Sequence, residues 1–438
     1  MKKTLILLLT SWALLLPAAA QARPGQLDKT FGMNGRVITH VGGPSSSSKA
    51  LFAWAGRGRI VAVLGTHLLK YLPDGRLDRS FGDEGRMAIA AGGESSFASN
   101  GIAVDSRGRI LVSGTASRGR GKSGAAESSA VEVRRFFPNG RLDTSFGNNG
   151  SVLDDFGFPH PSREGQPDGS GPYVDSSGLT VDSGDRPVLT GSWLSAFPCS
   201  SLYCTPIHVP FVARLGEDGS LDRDFGSDGV FVPPSRESAT TPTQVGGTTL
   251  FVAVNTGCTD RCGGVHPVLG RLDENGNLDS EFGMAGLADL PFFWQPPSVA
   301  VDRFRRILLA GAGEGESLLY LQRLDARGLP DTDFGDDGSR LINLPTGGRQ
   351  APGTLAVDHR SRPLLAISGR WKRQNYAILL RRNQRGGRDR SFGNNGQVWT
   401  AMPEPISPTR VLIGGNGMIV VGGALGKNSI ALARYHGD

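Results

Sequence analysis

Apolar and polar positions along this chain follow a short cycle that repeats. The segment GIAVDSRGRILVSG, residues 101–114, reads as a strand, a tight turn at Asp and Gly, and a second strand. GLTVDSGDRPVLTG, SVAVDRFRRILLAG and TLAVDHRSRPLLAISG are further copies. An apolar third segment follows, ending in Arg-Leu or similar, as in PFVARL, HPVLGRL, LLYLQRL and YAILLRR. Then come a polar, glycine-rich box and a short apolar segment such as GSVL or GVFV. Each cycle therefore predicts four strands, a to d, with the box joining c to d. Segments such as RILVSG are apolar at consecutive positions, as expected when both faces of a sheet are covered. Stacked four-stranded blades meet that condition, and the glycine density excludes helical repeats.

The box is G-x-x-D-x-x-F-G-x-x-G, and it occurs seven times. Its aspartates are Asp28, Asp78, Asp143, Asp222, Asp279, Asp331 and Asp389, and its phenylalanines Phe31, Phe81, Phe146, Phe225, Phe282, Phe334 and Phe392. A repeat of this period signals a propeller, solenoid or array. The chain ends decide among them. The first box starts at Gly25 with no a, b or c strand before it, whereas the last is followed by RVLIGG, MIVVGG and SIALARY and no further box. One blade is thus divided between the two ends, which a ring requires and which hides sheet edges. An open solenoid would need capping repeats instead. The expected fold is all-β: a seven-bladed β-propeller of four-stranded antiparallel blades, closed by the N-terminal strand completing the C-terminal blade. Within the box, Asp143 is expected to cap a helical or Asx turn. Gly147 should end that turn in a left-handed conformation, and Phe146 should fill the gap between blades. Calcium is the other reading of DENGNLDSEFG, but the box lacks a full set of alternating oxygen ligands.

In the form G-x-L-D-x-S-F-G-x-x-G, spaced near sixty residues, the box resembles the bacterial delta-60 repeat, a β-propeller family of exported proteins. The resemblance spans essentially the whole chain after its leader; Pro330 and Arg388 stand where the pattern has leucine. It implies the propeller and no chemistry.

The leader is MKKTLILLLTSWALLLPAAAQA. Two lysines, a short apolar run broken by Pro17 and the A-x-A of Ala20-Gln21-Ala22 predict a signal peptide over 1–22 and a single propeller domain over 23–438. No later segment is apolar enough to cross a bilayer, so an exported monomer, periplasmic or extracellular, is expected. The formal charge of +6 includes Lys2 and Lys3 of the leader. The remainder is modest and spread out, which excludes a nucleic-acid stripe. The four cysteines form two close pairs, Cys199 with Cys204 and Cys258 with Cys262. Oxidising conditions favour two disulfides over zinc, with connectivity open.

No metal, cofactor or catalytic residue is expected. The seven histidines lack metal-ligand spacing, although His67, His208 and His266 precede c strands in three repeats. No G-x-S-x-G elbow occurs. Asp105, Asp182, Asp302 and Asp358 could ring a channel, yet three repeats lack them, and turn capping explains them better. The a–b and c–d turns read as short and uniform, whereas the b–c and d–a loops vary greatly, so the ligand face should be the variable one. Arg118, Arg120 and Lys122 in SRGRGKSG, and Arg370, Trp371, Lys372 and Arg373 in SGRWKRQNY, should share its rim. Arginine forks suit carboxylate and phosphate, and a tryptophan can stack on a sugar ring. The expected function is noncatalytic binding or scaffolding of an envelope protein or glycan, anionic in character. The alternative is an envelope enzyme, a metal-assisted lyase or hydrolase at the channel mouth, which needs several polar residues converging from different blades.

Overall fold

A computed structural model of the chain describes residues 22–42, 49–89, 96–119, 128–158, 173–196, 207–234, 243–245, 247–255, 266–291, 297–312, 318–344 and 348–438. Its strands form seven four-stranded antiparallel sheets. Strand β1 (Arg36–His40) comes first and stands apart from the sheet that follows it. Blade 1 is β2 (Ala50–Trp54), β3 (Ile60–Leu64), β4 (His67–Tyr71) and β5 (Arg86–Ala88). Blade 2 is β6 (Ser96–Val104), β7 (Ile110–Arg118), β8 (Ser128–Phe136) and β9 (Ser151–Asp154). Blade 3 is β10 (Val174–Val181), β11 (Pro187–Ala196), β12 (Ile207–Arg214) and β13 (Val230–Phe231). Blade 4 is β14 (Thr243–Val245), β15 (Thr248–Asn255), β16 (His266–Leu272) and β17 (Leu287–Asp289). Blade 5 is β18 (Ser298–Val301), β19 (Ile307–Ala312), β20 (Leu318–Leu324) and β21 (Ser339–Asn343). Blade 6 is β22 (Gly348–Val357), β23 (Pro363–Trp371), β24 (Gln374–Arg381) and β25 (Gln397–Met402). Blade 7 has β26 (Ile406–Ile413), β27 (Ile419–Leu425) and β28 (Ser429–Tyr435), and its fourth strand is β1.

Closure follows from the register of that last pair, in which Arg36 lies opposite Ala433 and His40 opposite Ser429. The first strand of each blade contacts the first strands of both neighbours, from β2 round to β26 and back to β2. Strand a is therefore innermost and strand d outermost. The b strands explain the continuous apolar runs: in IVAVL of β3 every residue is buried, because blades 7 and 2 cover both of its faces. β-Branched side chains fit such a pleated, doubly covered surface. Core clusters lie between blades, as where Ala62 and Leu69 of blade 1 pack with Val420 and Leu432 of blade 7.

The connections confirm one half of the expected contrast and correct the other. The a–b turns are short: 105–109, 182–186, 302–306 and 358–362 are each five residues. The c–d connections are uniform but not short, running for example over 137–150, 273–286 and 325–338. The box needs that length because it crosses to the adjacent blade as well as reversing the chain.

Candidate functional site

Each box is a staple between blades. Asp143 Oδ1 accepts the backbone N–H of Ser145 (3.2 Å) and its hydroxyl (2.6 Å), so the expected Asx-type turn is present. The Phe146 N–H then bonds the Asp143 carbonyl, and Gly147 leaves the turn at φ +56°. The Gly147 N–H reaches the Asp218 carbonyl of blade 3 at 2.7 Å. Phe146 is fully buried, and Gly219 of the next box lies over its ring; a Cβ on Gly219 would stand 3.0 Å from the ring and 2.8 Å from the Gly147 nitrogen. Only glycine permits that approach.

A further partner went unread in the sequence. Arg135, near the end of β8, donates its Nε to Asp143 Oδ2 at 2.7 Å. Its guanidinium carbon lies 4.5 Å from the Phe146 ring centroid, and its Nη1 donates to the Glu217 carbonyl of blade 3. Arg214, Arg271, Arg323, Arg381 and Arg434 repeat this arrangement with Asp222, Asp279, Asp331, Asp389 and Asp28. Blade 1 uses Lys70, whose Nζ donates to the Pro138 carbonyl at 2.6 Å, 3.9 Å from Asp78. The signal was available as a cation eight residues before six of the box aspartates, all but Asp28, but an arginine beside leucine reads as a strand end. Burial alone would raise the Asp143 carboxyl; the Ser145 hydroxyl and Arg135 outweigh it and hold the group below the usual carboxylate range.

The a–b turn aspartates are caps. Asp105 Oδ1 accepts the N–H groups of Arg107 and Arg109, and Asp358 Oδ1 those of Arg360 and Arg362. The second oxygen takes the arginine Nε at the end of the turn, in Asp182–Arg186 and Asp302–Arg306 as well. Arg362 continues to Asp389 and to the Asp438 side chain. Arg360, Arg362, Asn383, Gln384, Arg385 and Asp389 line a shallow cavity of about 310 Å³ on this face, in which Arg360, Arg362 and Asp389 are held in ion pairs. Among the described residues no group of three or more His, Cys, Asp or Glu is placed to hold a metal. His67 and His266 open β4 and β16, and His208 is second in β12, so they lie inside c strands at one end of the propeller, in three different blades.

The variable face is where b strands end and c strands begin. Arg118 closes β7, while Arg120 and Lys122 lie outside the described residues, as do Cys199, Cys204, Cys258 and Cys262. Arg370 and Trp371 close β23, and Trp371 pairs across the hairpin with Gln374. Lys372 and Arg373 form the two-residue turn between them, at φ +46° and +67°, the signature of a type I′ hairpin. All four side chains are exposed, Trp371 to 44 %. Arg118 and the Arg370–Arg373 hairpin therefore stand where b strands end but in different blades; blades 7 and 1 lie between them along the shorter arc.

A family model described as a domain of unknown function (DUF5122) β-propeller matches residues 108–146, which run from β7 to the phenylalanine of the blade 2 box. No curated protein matches the chain. Among solved structures the fold is similar to Drosophila Semaphorin 2a, at 8% identity and a TM-score of 0.43, over 92% of this chain and 75% of that one. It is also similar to a glucose dehydrogenase, at 12% identity and a TM-score of 0.35, over 91% of this chain and 99% of that one. Among the described residues no helix is long and apolar enough to cross a membrane. The fold and the matched segment make this chain a seven-bladed β-propeller with a stretch similar to the DUF5122 β-propellers.

Proposed function

We propose that the chain is a noncatalytic binding or scaffold protein of the cell envelope, exported by its 1–22 leader, that holds an anionic glycan or protein on its variable-loop face. The observation that carries this reading is the asymmetry between the two faces. One face is seven copies of the same interlocked turn, and in six of them the box aspartate is paired with an arginine near the end of strand c. The other carries connections of unequal length, from the two-residue turn at Lys372 and Arg373 to the 155–173 connection between β9 and β10. Loops on a rigid scaffold are free to diverge toward a ligand. In this reading Arg118, Arg120, Lys122, Arg370, Lys372 and Arg373 supply the charge and Trp371 the stacking surface. Cys199, Cys204, Cys258 and Cys262 pair as two disulfides that tie down neighbouring loops.

The test is reversal of those six charges, read as binding to anionic polysaccharide and to anionic liposomes at low and high salt. The parent is expected to bind the polysaccharide more weakly as salt rises, and the variant to lose binding while keeping its melting midpoint. Equal binding by the folded variant, or no salt-dependent binding by the parent, overturns the reading.

A further inference from the structure

One blade departs from the other six in the chemistry of its box. The residue that follows each c-strand cation bridges to the residue that precedes the box aspartate. In six blades both members of that bridge are apolar, as in Leu215 with Leu221 and Leu272 with Leu278. In blade 6 they are Arg382 and Arg388.

A d-strand residue of the preceding blade packs on this bridge. Val152 lies with Leu215 and Leu221, and Phe231 with Leu272 and Leu278. Register identifies the counterpart before blade 6. Val152 stands opposite Val133, Phe231 opposite Val212 and Arg340 opposite Leu321, each partner two residues before the c-strand cation. Three positions that are apolar in those seams are thus all arginine in the seam between blades 5 and 6.

Arg382 is 6 % exposed, although it carries a full charge. Among the described residues it has no ion pair, and the groups that face its guanidinium are the like charges of Arg388 and Arg340. Burial first, and then Arg388 and Arg340, push its pKa down to about 10. Arg388 is exposed and, among the described residues, also without an ion pair, so the two run from the seam to solvent. Arg340 has one bond, from Nη1 to the exposed Asp336 carboxylate at 3.1 Å. An unmatched charge at a buried position is costly, and a guanidinium stays charged at neutral pH. Two unmatched positive charges side by side need a doubly charged anion, since a carboxylate leaves one over. Arginine forks also suit the oxygens of a phosphate.

We propose that Arg340, Arg382 and Arg388 form a binding site for a phosphate group in the seam between blades 5 and 6, on the box face. The site is independent of the variable-face loops, since none of its residues belongs to them.

The experiment is isothermal titration of the full chain with inorganic phosphate, with acetate as the singly charged control, beside flotation with vesicles containing phosphatidic acid. Binding of free phosphate assigns the group to a solute, and binding of the vesicles alone assigns it to a lipid headgroup. Acetate is expected to bind about tenfold or more weakly than phosphate. Arg382→Leu with Arg388→Leu recreates the pair of blades 3 and 4. It is expected to abolish binding in either arm and to raise the melting midpoint, because an unmatched buried charge is gone. Arg388→Gln, at the exposed position, should weaken binding about tenfold at an unchanged midpoint. Reversal of the six variable-face charges should leave it unaltered. Binding in neither arm, acetate binding as tightly as phosphate, or undiminished binding by either arginine variant overturns the site.

Discussion

A single aspartate in each box does two things at once: it caps a turn and holds the cation from strand c, Lys70 in blade 1 and arginine elsewhere, that lies over the box ring. At Asp143 the ion pair is almost wholly buried, with Arg135 exposed to 3% and Asp143 to 2%. Removing one partner leaves the other charge without compensation, which costs about 3–5 kcal/mol at buried sites. Arg135→Met is therefore expected to lower stability by roughly 3 kcal/mol. The pH dependence has a definite sign. Asp28, Asp78, Asp143 and Asp389 are held below their usual range, so their contribution is complete above the ordinary carboxylate pKa, about 4, and is lost as pH falls through the depressed values. The melting midpoint should fall steeply below about pH 4. In Arg135→Met, where burial no longer has that guanidinium opposing it, the Asp143 share of the fall should shrink, so the variant's midpoint should drop less between pH 6 and 3 than the parent's; a midpoint flat from pH 6 to 3 in the parent refutes the account. The aspartate, the phenylalanine and the left-handed glycine were all legible, because each is a fixed residue at a fixed offset. Arg135 was not recognised despite its fixed offset from Asp143, since its contact with the backbone of blade 3 is contained in no local pattern.

Elements divide into those fixed by repetition and those fixed by their own chemistry. The b strands were legible from four or five consecutive apolar residues, and the seven sheets match the predicted a to d order. The length of the c–d connection was misjudged because the box was read as a local turn, whereas Gly147 and Arg135 use it to reach the next blade. The β23–β24 hairpin was read as a loop; its central pair, Lys372 and Arg373, gives no glycine or asparagine signal for a type I′ turn. Both residues occupy positive φ at some cost, since side chains resist that region. Lys372→Asn with Arg373→Gly should stabilise the protein by about 0.5–1 kcal/mol, while diminishing attachment to anionic polysaccharide. Chemical denaturation measures the first effect, and a lower midpoint would contradict the hairpin. Arg118 and the Arg370–Arg373 hairpin both lie at the ends of b strands, but sequence alone could not show that two blades separate them.

At the scale of the whole molecule, closure rests on β1. Its removal leaves β28 as a bare edge, and removal of the segment before it takes away the Asp28 partner of Arg434 and the Pro24 carbonyl that accepts from Gly393. Deleting residues 23–40 should therefore cripple folding far beyond the loss of a tail. A truncated chain that melts within a few degrees of the parent and stays monomeric would refute closure by exchange. The ring itself was legible from the unmatched strands at the two ends. The β1–β28 pairing also sets an order of events during synthesis. Residues 36–40 are among the first of the propeller to leave the ribosome, and their partners at 429–433 among the last. One strand must therefore wait, unpaired, while six blades are made. Contacts so distant in sequence form slowly, and a waiting strand edge is open to the wrong partner. The same seam that completes the circle is thus the step at which a half-made molecule is most exposed to another like itself.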